Sequence, residues 1–397
     1  MTVDATAVPL PLAGVKVLDL ARVFAGPVAG RVLSDLGAEV VKVEPPEGDV
    51  TRVFGRKTAG LSTYYAQQNV GKDNICVDLR EPAGPELVRK LADQADIVIE
   101  NFRPGVMARY GLDYETLKAR NPALIMLSIS GFGQDGPESG RAAYASILHA
   151  EAGLIDITGG AAAAHDVSFS AADVLSGMHG VVGVLAALRV KDMTGIGQHI
   201  DIAMMDAMTF SSDGNQAIID DAGHDPRGGQ IYEAHGGPIL LSGDTKWLWH
   251  SLSTTHDLVD PGPKDRPGPQ KKIDRDQLIS DFLSGQPDRA SVRRVLDEAN
   301  LPWGDLRQLG EVLESPTIKH RQTVAAIDNR DGGTRNVIRS PYVMSVSDTR
   351  DPGTISLRGE HNHQVLTEWL DMSLAEVDEL LDAGVLLRDE WAEQVTD

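Results

Sequence analysis

Short apolar runs alternate with longer amphipathic stretches along the first half of the chain, and this alternation predicts strands separated by helices. Runs that are apolar on both faces are typical of strands covered by helices on both sides of a sheet. Because predicted strands and helices alternate, the pattern favours a parallel sheet and an α/β fold. The predicted strands are Val15–Leu20, Glu39–Glu44, Asn74–Leu79, Asp96–Glu100 and Leu124–Ser130.

Helical periodicity dominates after the fifth predicted strand. Two long helices are predicted, at Ala145–Thr158 and Ala172–Asp192, and a short strand follows at His199–Ala203. Further along the chain, Val337–Ser345 again predicts strands. The sequence Ser373-Leu-Ala-Glu376 has the spacing of a capping box and predicts the start of an acidic C-terminal helix.

The character of the sequence changes near residue 226. Four prolines and two glycines between Asp260 and Lys272 predict a loop. We therefore expect residues 226–325 to form a smaller α+β domain inserted into a large Rossmann-like parallel-sheet domain. The large domain would consist of residues 1–225 and 326–397 and would contain both termini.

The composition is that of a soluble globular protein, with 42% hydrophobic and 24% charged residues among 397. A net charge of −21 argues against nucleic acid or an anionic membrane as a partner. Residues 1–110 differ, because their 13 lysines and arginines nearly balance 14 acidic residues. A locally basic site for an anionic ligand is therefore expected in this first part of the chain.

Three features predict a cytoplasmic protein. The single cysteine, Cys76, excludes an intramolecular disulfide and suits a reducing compartment. The first twelve residues lack the basic and apolar regions of a secretory signal. The longest uninterrupted apolar runs, such as Val181–Leu188, are shorter than the roughly 18 residues of a membrane span, so no membrane partner is expected.

The motifs of several common enzyme classes are missing from the sequence. The first strand–turn–helix lacks G-x-G-x-x-G, there is no Walker A loop, and neither H-E-x-x-H nor G-x-S-x-G occurs. These absences disfavour nicotinamide-dependent, P-loop, zinc-protease and serine-hydrolase chemistry. No metal and no permanently bound cofactor is expected, and Cys76 is expected to be a small core residue.

Eight short segments, in order along the chain, carry a more specific signal. They are Phe24–Pro27, Leu36–Glu44, Glu100–Gly105, Asn121-Pro122, Ser130–Pro137, Asp173 with Ser176–His179, Thr194–Gln198 and Gly359–His361. Together they resemble the class III CoA-transferases, the CaiB/BaiF family, which also includes α-methylacyl-CoA racemases. The resemblance implies an acyl-CoA:carboxylate CoA-transferase with acyl-CoA and a small organic acid as substrates. It also implies an interlocked homodimer.

The resemblance makes Asp173 the catalytic nucleophile. A carboxylate can form a mixed anhydride with the acyl donor and then a thioester with CoA, which divides one difficult exchange into easier steps. Small residues surround Asp173 at a predicted helix start, where backbone N–H groups stabilise negative charge. An ordinary helix N-cap is the structural alternative for this residue.

The same resemblance implies a CoA site in the first third of the chain. Arg80 and Arg109 align with basic family positions that contact the CoA phosphates, and guanidinium groups suit phosphate because they bind it bidentately. A surface salt bridge is the alternative interpretation of each arginine. The other implied ligand-binding residues are Phe24, Ala25, Val77, Asp78, Leu79, Asn101, Phe102, Arg103, Arg141 and Tyr144.

The sequence also departs from the family pattern. Ala142 and Ala145 stand where some relatives carry a basic and an acidic ligand contact, so that contact is either lost or taken over by Arg141. Formyl-CoA transferase has a run of four glycines over its acyl site. The nearest candidates here are Gly228-Gly229 and Gly236-Gly237.

Two other functions remain open on sequence grounds. A racemase of the same fold would need a histidine where this chain has Tyr144, and tyrosine with an ordinary pKa near 10 is a poor base at neutral pH. His149 is the only nearby replacement, but at helical spacing it would point away from Tyr144. A non-catalytic acyl-CoA-binding protein is the third possibility, and retention of Asp173 argues against it.

Overall fold

The computed structural model describes residues 8–159, 166–219 and 228–389. The chain divides into two compact units. The large unit comprises residues up to 219 and from 322 onward, and the small unit comprises residues 220–321.

A parallel sheet forms the centre of the large unit. In chain order, its first strands and an accompanying hairpin are β1 (Lys16–Asp19), β2 (Glu39–Glu44), β3 (Lys57–Thr58), β4 (Leu61–Ser62), β5 (Asp73–Cys76), β6 (Ile97–Glu100), β7 (Ile125–Ser130) and β8 (His199–Ala203). The hairpin is β3–β4, and the remaining six strands lie in the order β5-β2-β1-β6-β7-β8. All neighbours in this sheet are parallel. The prediction of an α/β fold with a large parallel sheet is confirmed.

Helices cover the sheet on both sides. The helices of the large unit before residue 220 are α1 (Ala25–Asp35), α2 (Thr63–Asn69), α3 (Ala83–Gln94), α4 (Val106–Arg109), α5 (Tyr114–Arg120), α6 (Ala145–Glu151), α7 (Leu154–Gly159), α8 (Ala171–Thr194), α9 (Met204–Phe210) and α10 (Asp213–Ile219). Val17 of β1 packs in a core with residues of α1 and α8. The next residue, Leu18, packs in a second core with residues of α3. This alternation explains why the strands are apolar on both faces.

The small unit has its own core around a three-stranded antiparallel sheet. Its elements are β9 (Gln230–Tyr232), β10 (Ile239–Leu241), α11 (Thr245–His256), α12 (Gly268–Ser284), α13 (Arg289–Glu298), β11 (Trp303–Asp305), α14 (Leu309–Val312) and α15 (Pro316–His320). The loop predicted over Asp260–Lys272 is shorter than expected, because α12 begins at Gly268. A proline is tolerated in the first turn of a helix, where its missing N–H would have no helical partner.

The chain then returns to the large unit through β12 (Val324–Asp328), β13 (Thr334–Ile338), α16 (Asn362–Leu370) and α17 (Leu374–Asp382). Strand structure was expected over Val337–Ser345, but β13 ends at Ile338, shortly before Pro341, which has no N–H for a strand ladder. The capping box of α17 is confirmed: Ser373 Oγ accepts a hydrogen bond from Glu376 N, and the Glu376 carboxylate accepts one from Ser373 N.

Two of the predicted helices differ in extent from the structure. The helix expected over Ala145–Thr158 is broken into α6 and α7 at Gly153, whose φ of 78° is incompatible with a continuous right-handed helix. The helix expected over Ala172–Asp192 is slightly longer and ends at Thr194, and the next residue, Gly195, has the left-handed conformation typical of the residue after a helix.

By length and composition, α8 is apolar enough to cross a membrane, with a mean hydropathy of 1.6 over an 18-residue window. The sequence-based prediction did not identify α8 as a segment of sufficient length, because it counted only uninterrupted apolar runs. Of that window, 44% is buried inside the chain, and a core helix of a soluble protein meets the same criterion. We give α8 no membrane role on this basis.

Candidate active site

The order of the strands creates a crevice between β1 and β6. The chain adds β2 and β5 on one side of β1 and then returns to place β6 on the other side. At such a switch point, the loops after two neighbouring strands diverge and leave room for a ligand at their carboxyl ends. Asn101, directly after β6, spans the gap: its Oδ1 accepts from Arg22 N, and its Nδ2 donates to Arg22 O, each at 2.8 Å.

A cavity of about 450 Å³ lies over the carboxyl ends of β1, β2, β5 and β6. It is lined partly by the loop after β2, including Pro45 and Gly48. The residues predicted to bind CoA that line this cavity are Val77, Asp78, Leu79, Arg80, Phe102 and Arg103. Its position and size therefore suit part of a large ligand at the switch point.

The arginines that line this cavity differ in whether they form ion pairs with neighbouring carboxylates. Arg80 donates to the Asp78 carboxylate through Nε and Nη2 at 2.8 and 2.9 Å, and to Glu47 at 2.8 Å. Among the described residues, Arg22 and Arg103 have no ion-pair partner, although the Arg22 guanidinium lies over the Phe102 ring at 5.6 Å. The salt-bridge interpretation therefore describes Arg80 in this structure, and two arginines remain available for an anionic ligand.

A smaller cavity of about 120 Å³ contains Asp173. Arg22, Phe102 and Arg103 line both cavities, so the two adjoin along these residues. Predicted site residues that line only the smaller cavity are Ala25, Asn101, Arg141, Tyr144 and Asp173. A ligand that extends from the large cavity past Arg22 and Arg103 would therefore reach the Asp173 carboxylate.

Asp173 is the third residue of α8, and the N-cap of this helix is Ser170. The structure therefore does not place Asp173 at the N-cap position that was its alternative interpretation. Burial raises the pKa of Asp173 to about 6, and the charged form of His149 opposes this shift. The carboxylate is consequently ionised at neutral pH, poorly hydrated, and in the first turn of a helix, where its charge is stabilised.

Close packing between α1 and α8 holds Asp173 beside the loop after β1. A Cβ atom added to Gly177 would lie 2.6 Å from Ala25 O and 2.4 Å from Val28 Cγ1. Only glycine allows this approach. The absence of a side chain one turn after Asp173 thus determines how near the nucleophile stands to residues 21–25.

The loop after β1 contains a strained residue that sequence reasoning missed. Val23, which lines the smaller cavity, has a φ of 69°, a conformation that β-branched residues rarely adopt. Its N–H donates to the buried Asp49 carboxylate at 3.2 Å, and Asp49 forms an ion pair with the buried Lys42 at 3.2 Å. Lys42 Nζ also donates to Ala21 O at 2.7 Å. The buried ion pair thus fixes both ends of the segment Ala21–Val23.

The only sequence signal for this network was a lysine in the middle of the apolar strand Glu39–Glu44. A lysine at such a position is almost never buried without a partner. The partner itself, Asp49, lies beyond a turn, and the strand pattern gives no indication of it.

Two predicted site residues lie outside both cavities, and Arg141 and Tyr144, at the edge of the smaller one, are exposed. Phe24 and Arg109 line neither cavity; Phe24 instead packs edge-on against Tyr64, with ring centroids 5.6 Å apart. Arg141 is paired with Glu138 and, at 2.6 Å, with Glu151, and its guanidinium lies over Phe132. Tyr144 is 67% exposed.

Two residues near Asp173 were not predicted to belong to the site. Tyr64 interacts electrostatically with Asp173 and forms a hydrogen bond with Ser170, the N-cap of α8. His149, considered above only as a base, is 1% exposed and contacts the first turn of α8. No group of histidine, cysteine or carboxylate side chains suited to a metal ion occurs within the described ranges.

Comparison with known proteins assigns the chain to a family. The model of CoA-transferase family III matches residues 12–362. The chain belongs to this family. The resemblance identified from its motifs is thereby confirmed, and Asp173 and both cavities lie within the matched range.

Curated CoA-transferases of this family are similar along nearly the whole chain. A succinate–glutarate CoA-transferase of Agrobacterium fabrum is 33% identical over 381 residues, which cover 90% of this chain and 95% of that protein. The human succinyl-CoA:glutarate CoA-transferase is 31% identical, with 95% and 90% covered. A CaiB/BaiF family protein from Brucella suis has a solved structure with a TM-score of 0.80 and 31% identity, covering 91% of this chain and 100% of that one.

Proposed function

We propose that this family III CoA-transferase exchanges CoA between dicarboxylic acids, with Asp173 as the covalent nucleophile. The observation that carries the proposal is the partly buried Asp173 carboxylate in a small cavity that adjoins the large cavity at the switch point. The large cavity would hold part of CoA, and the thioester would reach Asp173 between them. CoA thioesters are the substrates of such transferases, so CoA enters as a substrate.

The proposed reaction needs no oxidant and no general base, because each attacking group is a carboxylate or a thiolate. The Asp173 carboxylate attacks the thioester carbonyl, the C–S bond breaks, and CoA thiolate leaves a mixed anhydride. The thiolate then attacks the Asp173 carbonyl, which releases the donor acid as its carboxylate and forms an aspartyl-CoA thioester. The acceptor carboxylate attacks this thioester, the C–S bond breaks, and CoA thiolate leaves a second mixed anhydride. The thiolate then attacks the acceptor carbonyl of this anhydride and breaks its bond to the bridging oxygen, which stays on Asp173. The second acyl-CoA is released, and the Asp173 carboxylate is regenerated.

Two unpaired arginines support the choice of dicarboxylic acids. Arg22 and Arg103 stand where the cavities adjoin, and neither has an ion-pair partner among described residues. A guanidinium binds a carboxylate bidentately, so either arginine can hold the carboxylate that does not react. The A. fabrum and human relatives are named for succinate and glutarate, both of which carry this second carboxylate.

We also propose that the protein acts as a cytoplasmic, interlocked homodimer without a membrane or nucleic-acid partner. Large apolar side chains remain exposed on the helices of the large unit, notably Val182 and Met193 on α8 and Phe210 on α9. Exposed apolar residues on neighbouring helices are typical of a surface covered by another chain. The interlocked form is the one that the family resemblance implies.

Isotope transfer tests the covalent mechanism directly. If the acceptor acid carries ¹⁸O in its carboxylates, the bridging oxygen of the second anhydride stays on Asp173. In the next turnover, either oxygen of the Asp173 carboxylate can attack the donor thioester, so the label leaves with the released donor acid in about half of the events. Mass spectrometry should therefore find ¹⁸O in Asp173 and in the donor acid, and Asp173→Ala should abolish CoA exchange while CoA binding persists.

Three outcomes would contradict the proposal. Transfer without ¹⁸O in Asp173 would indicate direct attack of one substrate on the other. Deuterium uptake from D₂O into a 2-methylacyl-CoA without any acceptor would indicate a racemase. CoA binding without exchange, across succinate, glutarate, malate and monocarboxylic acids, would indicate a binding protein.

A further inference from the structure

His149 occupies a buried position between Asp166 and the first turn of α8. It lies on α6 and is 1% exposed. Its Nδ1 is 2.8 Å from Asp166 Oδ1, and its Nε2 is 3.3 Å from the backbone N of Ala172. Both ring nitrogens therefore have partners, and one of these partners is the residue directly before Asp173.

The two contacts determine which nitrogen carries the proton. An ionised carboxylate can only accept a hydrogen bond, so Nδ1–H donates to Asp166. The unprotonated Nε2 is then free to accept the N–H of Ala172. The imidazole is thus held in one neutral tautomer, in the way that a second group orients the histidine of a catalytic dyad.

The contact between His149 and Ala172 provides a hydrogen-bond acceptor that the N-cap residue of α8 does not provide. The first N–H groups of a helix have no intrahelical acceptor and are usually satisfied by the N-cap side chain. The side chain of Ser170, the N-cap of α8, makes no such hydrogen bond. The imidazole of His149, reaching from a different helix, instead accepts from the second residue of α8.

We propose that His149, held by Asp166, is a positioning residue that fixes the start of α8 and thereby aims the Asp173 carboxylate at the thioester carbonyl. This inference rests on the proposed function and concerns the same site. A misplaced first turn would move the nucleophile by a fraction of an ångström to an ångström, and such displacements cost up to about a hundredfold in rate. Substrate binding in the large cavity would be unaffected.

The arrangement also predicts how acid affects the site. Among described residues, the titratable groups shown to contact or interact with His149 are Asp166 and Asp173, and Tyr64 also interacts with Asp173. A protonated imidazole carries hydrogen on Nε2 and can no longer accept from Ala172. Protonation of His149 would therefore release the helix start, and protonation of Asp173, whose pKa burial raises to about 6, would remove the charge of the nucleophile.

Substitutions at His149 distinguish its role as a hydrogen-bond acceptor from its role as a titratable group. His149→Leu removes the acceptor, and we expect kcat to fall at least tenfold while KM for the CoA ester stays within threefold. His149→Gln keeps an oxygen that can accept from Ala172, and we expect kcat to recover to within threefold of the wild type. Asp166→Ala removes the group that fixes the tautomer of His149 and should give an intermediate kcat. As a matched control, His363 pairs with Asp378 at 2.8 Å outside the site, and His363→Gln should change nothing.

The pH dependence of kcat provides a second readout that a merely structural role would not move. Glutamine cannot gain a proton, so the acid limb of His149→Gln should reflect the protonation of Asp173 alone and should differ from that of the wild type. If His149→Leu fails to fold, judged by circular dichroism, His149→Gln and Asp166→Ala still decide the question. Equal kcat in all three variants and the wild type, or His149→Gln as inactive as His149→Leu, would overturn the proposal.

A measurement without substrate distinguishes failure of this inference from failure of the proposed function. In protein labelled with ¹³C at the aspartate carboxyl carbons, the Asp173 signal can be assigned by its loss in Asp173→Asn. The charged form of His149 lowers the pKa of Asp173, and glutamine has no charged form, so the Asp173 titration should shift to higher pH in His149→Gln. An unchanged titration would contradict a link between His149 and Asp173 even if the wild type transfers no CoA.

Discussion

At the scale of single residues, Asp173 shows a conflict between reactivity and stability. A carboxylate that is poorly hydrated attacks a carbonyl more readily, but removing its charge from water costs folding free energy. Burial dominates here and raises the pKa of Asp173 to about 6, against an ordinary value of 3.8. The folded protein therefore retains a proton at this site over a pH range in which the unfolded chain has lost it.

The sign of this linkage gives a prediction for Asp173→Asn. Because the folded pKa is raised, the folded state is favoured below pH 3.8, and this stabilisation is lost as pH rises through about 6. A neutral amide avoids the cost of burying the charge. We expect Asp173→Asn to raise the free energy of unfolding at pH 8 by on the order of 2 kcal/mol and to have much less effect at pH 4.

Urea unfolding of the wild type and Asp173→Asn at both pH values measures this difference. Asp351→Asn serves as a control, because the Asp351 side chain is 88% exposed and its pair with Arg339 should contribute little at either pH. A gain of stability that is the same at pH 4 and pH 8 would show that charge burial is not its cause.

Residue types in the site were predictable from the sequence, but their partners were not. Asp173 and Asn101 line the smaller cavity, and the sequence predicts both positions, because Asp173 lies in the first turn of α8 and Asn101 directly follows β6. The sequence contains an equally good motif position for Arg80, yet Glu47 and Asp78 already occupy its guanidinium. Ion pairing depends on which loops meet in space, and local sequence patterns do not carry that information.

At the scale of secondary-structure elements, Gly177 connects packing to the position of the nucleophile. Replacing a helical glycine with alanine normally stabilises a helix by about 1 kcal/mol. At Gly177, the added methyl group would overlap Ala25 O and Val28 Cγ1 and push α8 away from α1. We therefore expect Gly177→Ala to destabilise the protein by about 1–3 kcal/mol and to lower kcat.

Gly310→Ala is the matched control, because Gly310 also lies in a helix, α14, and a Cβ there would meet nothing within 4 Å. Thermal unfolding and CoA exchange should be measured for both variants. A Gly177→Ala protein as stable and active as Gly310→Ala would show that α1 and α8 can separate without cost to the site.

The limits of an element were predicted correctly where residues close to its ends in the sequence determine them. Strand β2 has the predicted bounds, because Gly37 and the Pro45-Pro46 pair close to its ends are local signals. The break between α6 and α7 was missed, since Gly153 is acceptable within a helix by composition and only its φ of 78° ends α6. The strained Val23 was equally hidden, because its conformation depends on Asp49, 26 residues away.

At the scale of the whole molecule, the site is placed by topology more than by any motif. The sheet order brings the ends of β1 and β6 together, so Arg22 and Asn101 meet although 79 residues separate them. The near-neutral first 110 residues supply much of the larger cavity, including Arg22 and Arg103, within a chain of net charge −21. The acidic remainder of the surface favours solubility, while these arginines attract an anionic substrate.

The proposed interlocked dimer makes a prediction about exchange of subunits. Two chains that thread through each other cannot separate without unfolding, whereas a dimer held only by surface contacts dissociates on dilution. We expect a species of twice the chain mass of 42.6 kDa that persists at nanomolar concentration. When differently tagged pools are mixed, mass spectrometry should detect no mixed dimers until the protein is unfolded in denaturant and refolded.

A Phe210→Asp variant should remain dimeric by the same test, since one exposed apolar contact cannot release a threaded chain. Mixed dimers that form within minutes in native buffer would show that the exposed faces of α8 and α9 form an ordinary, reversible interface.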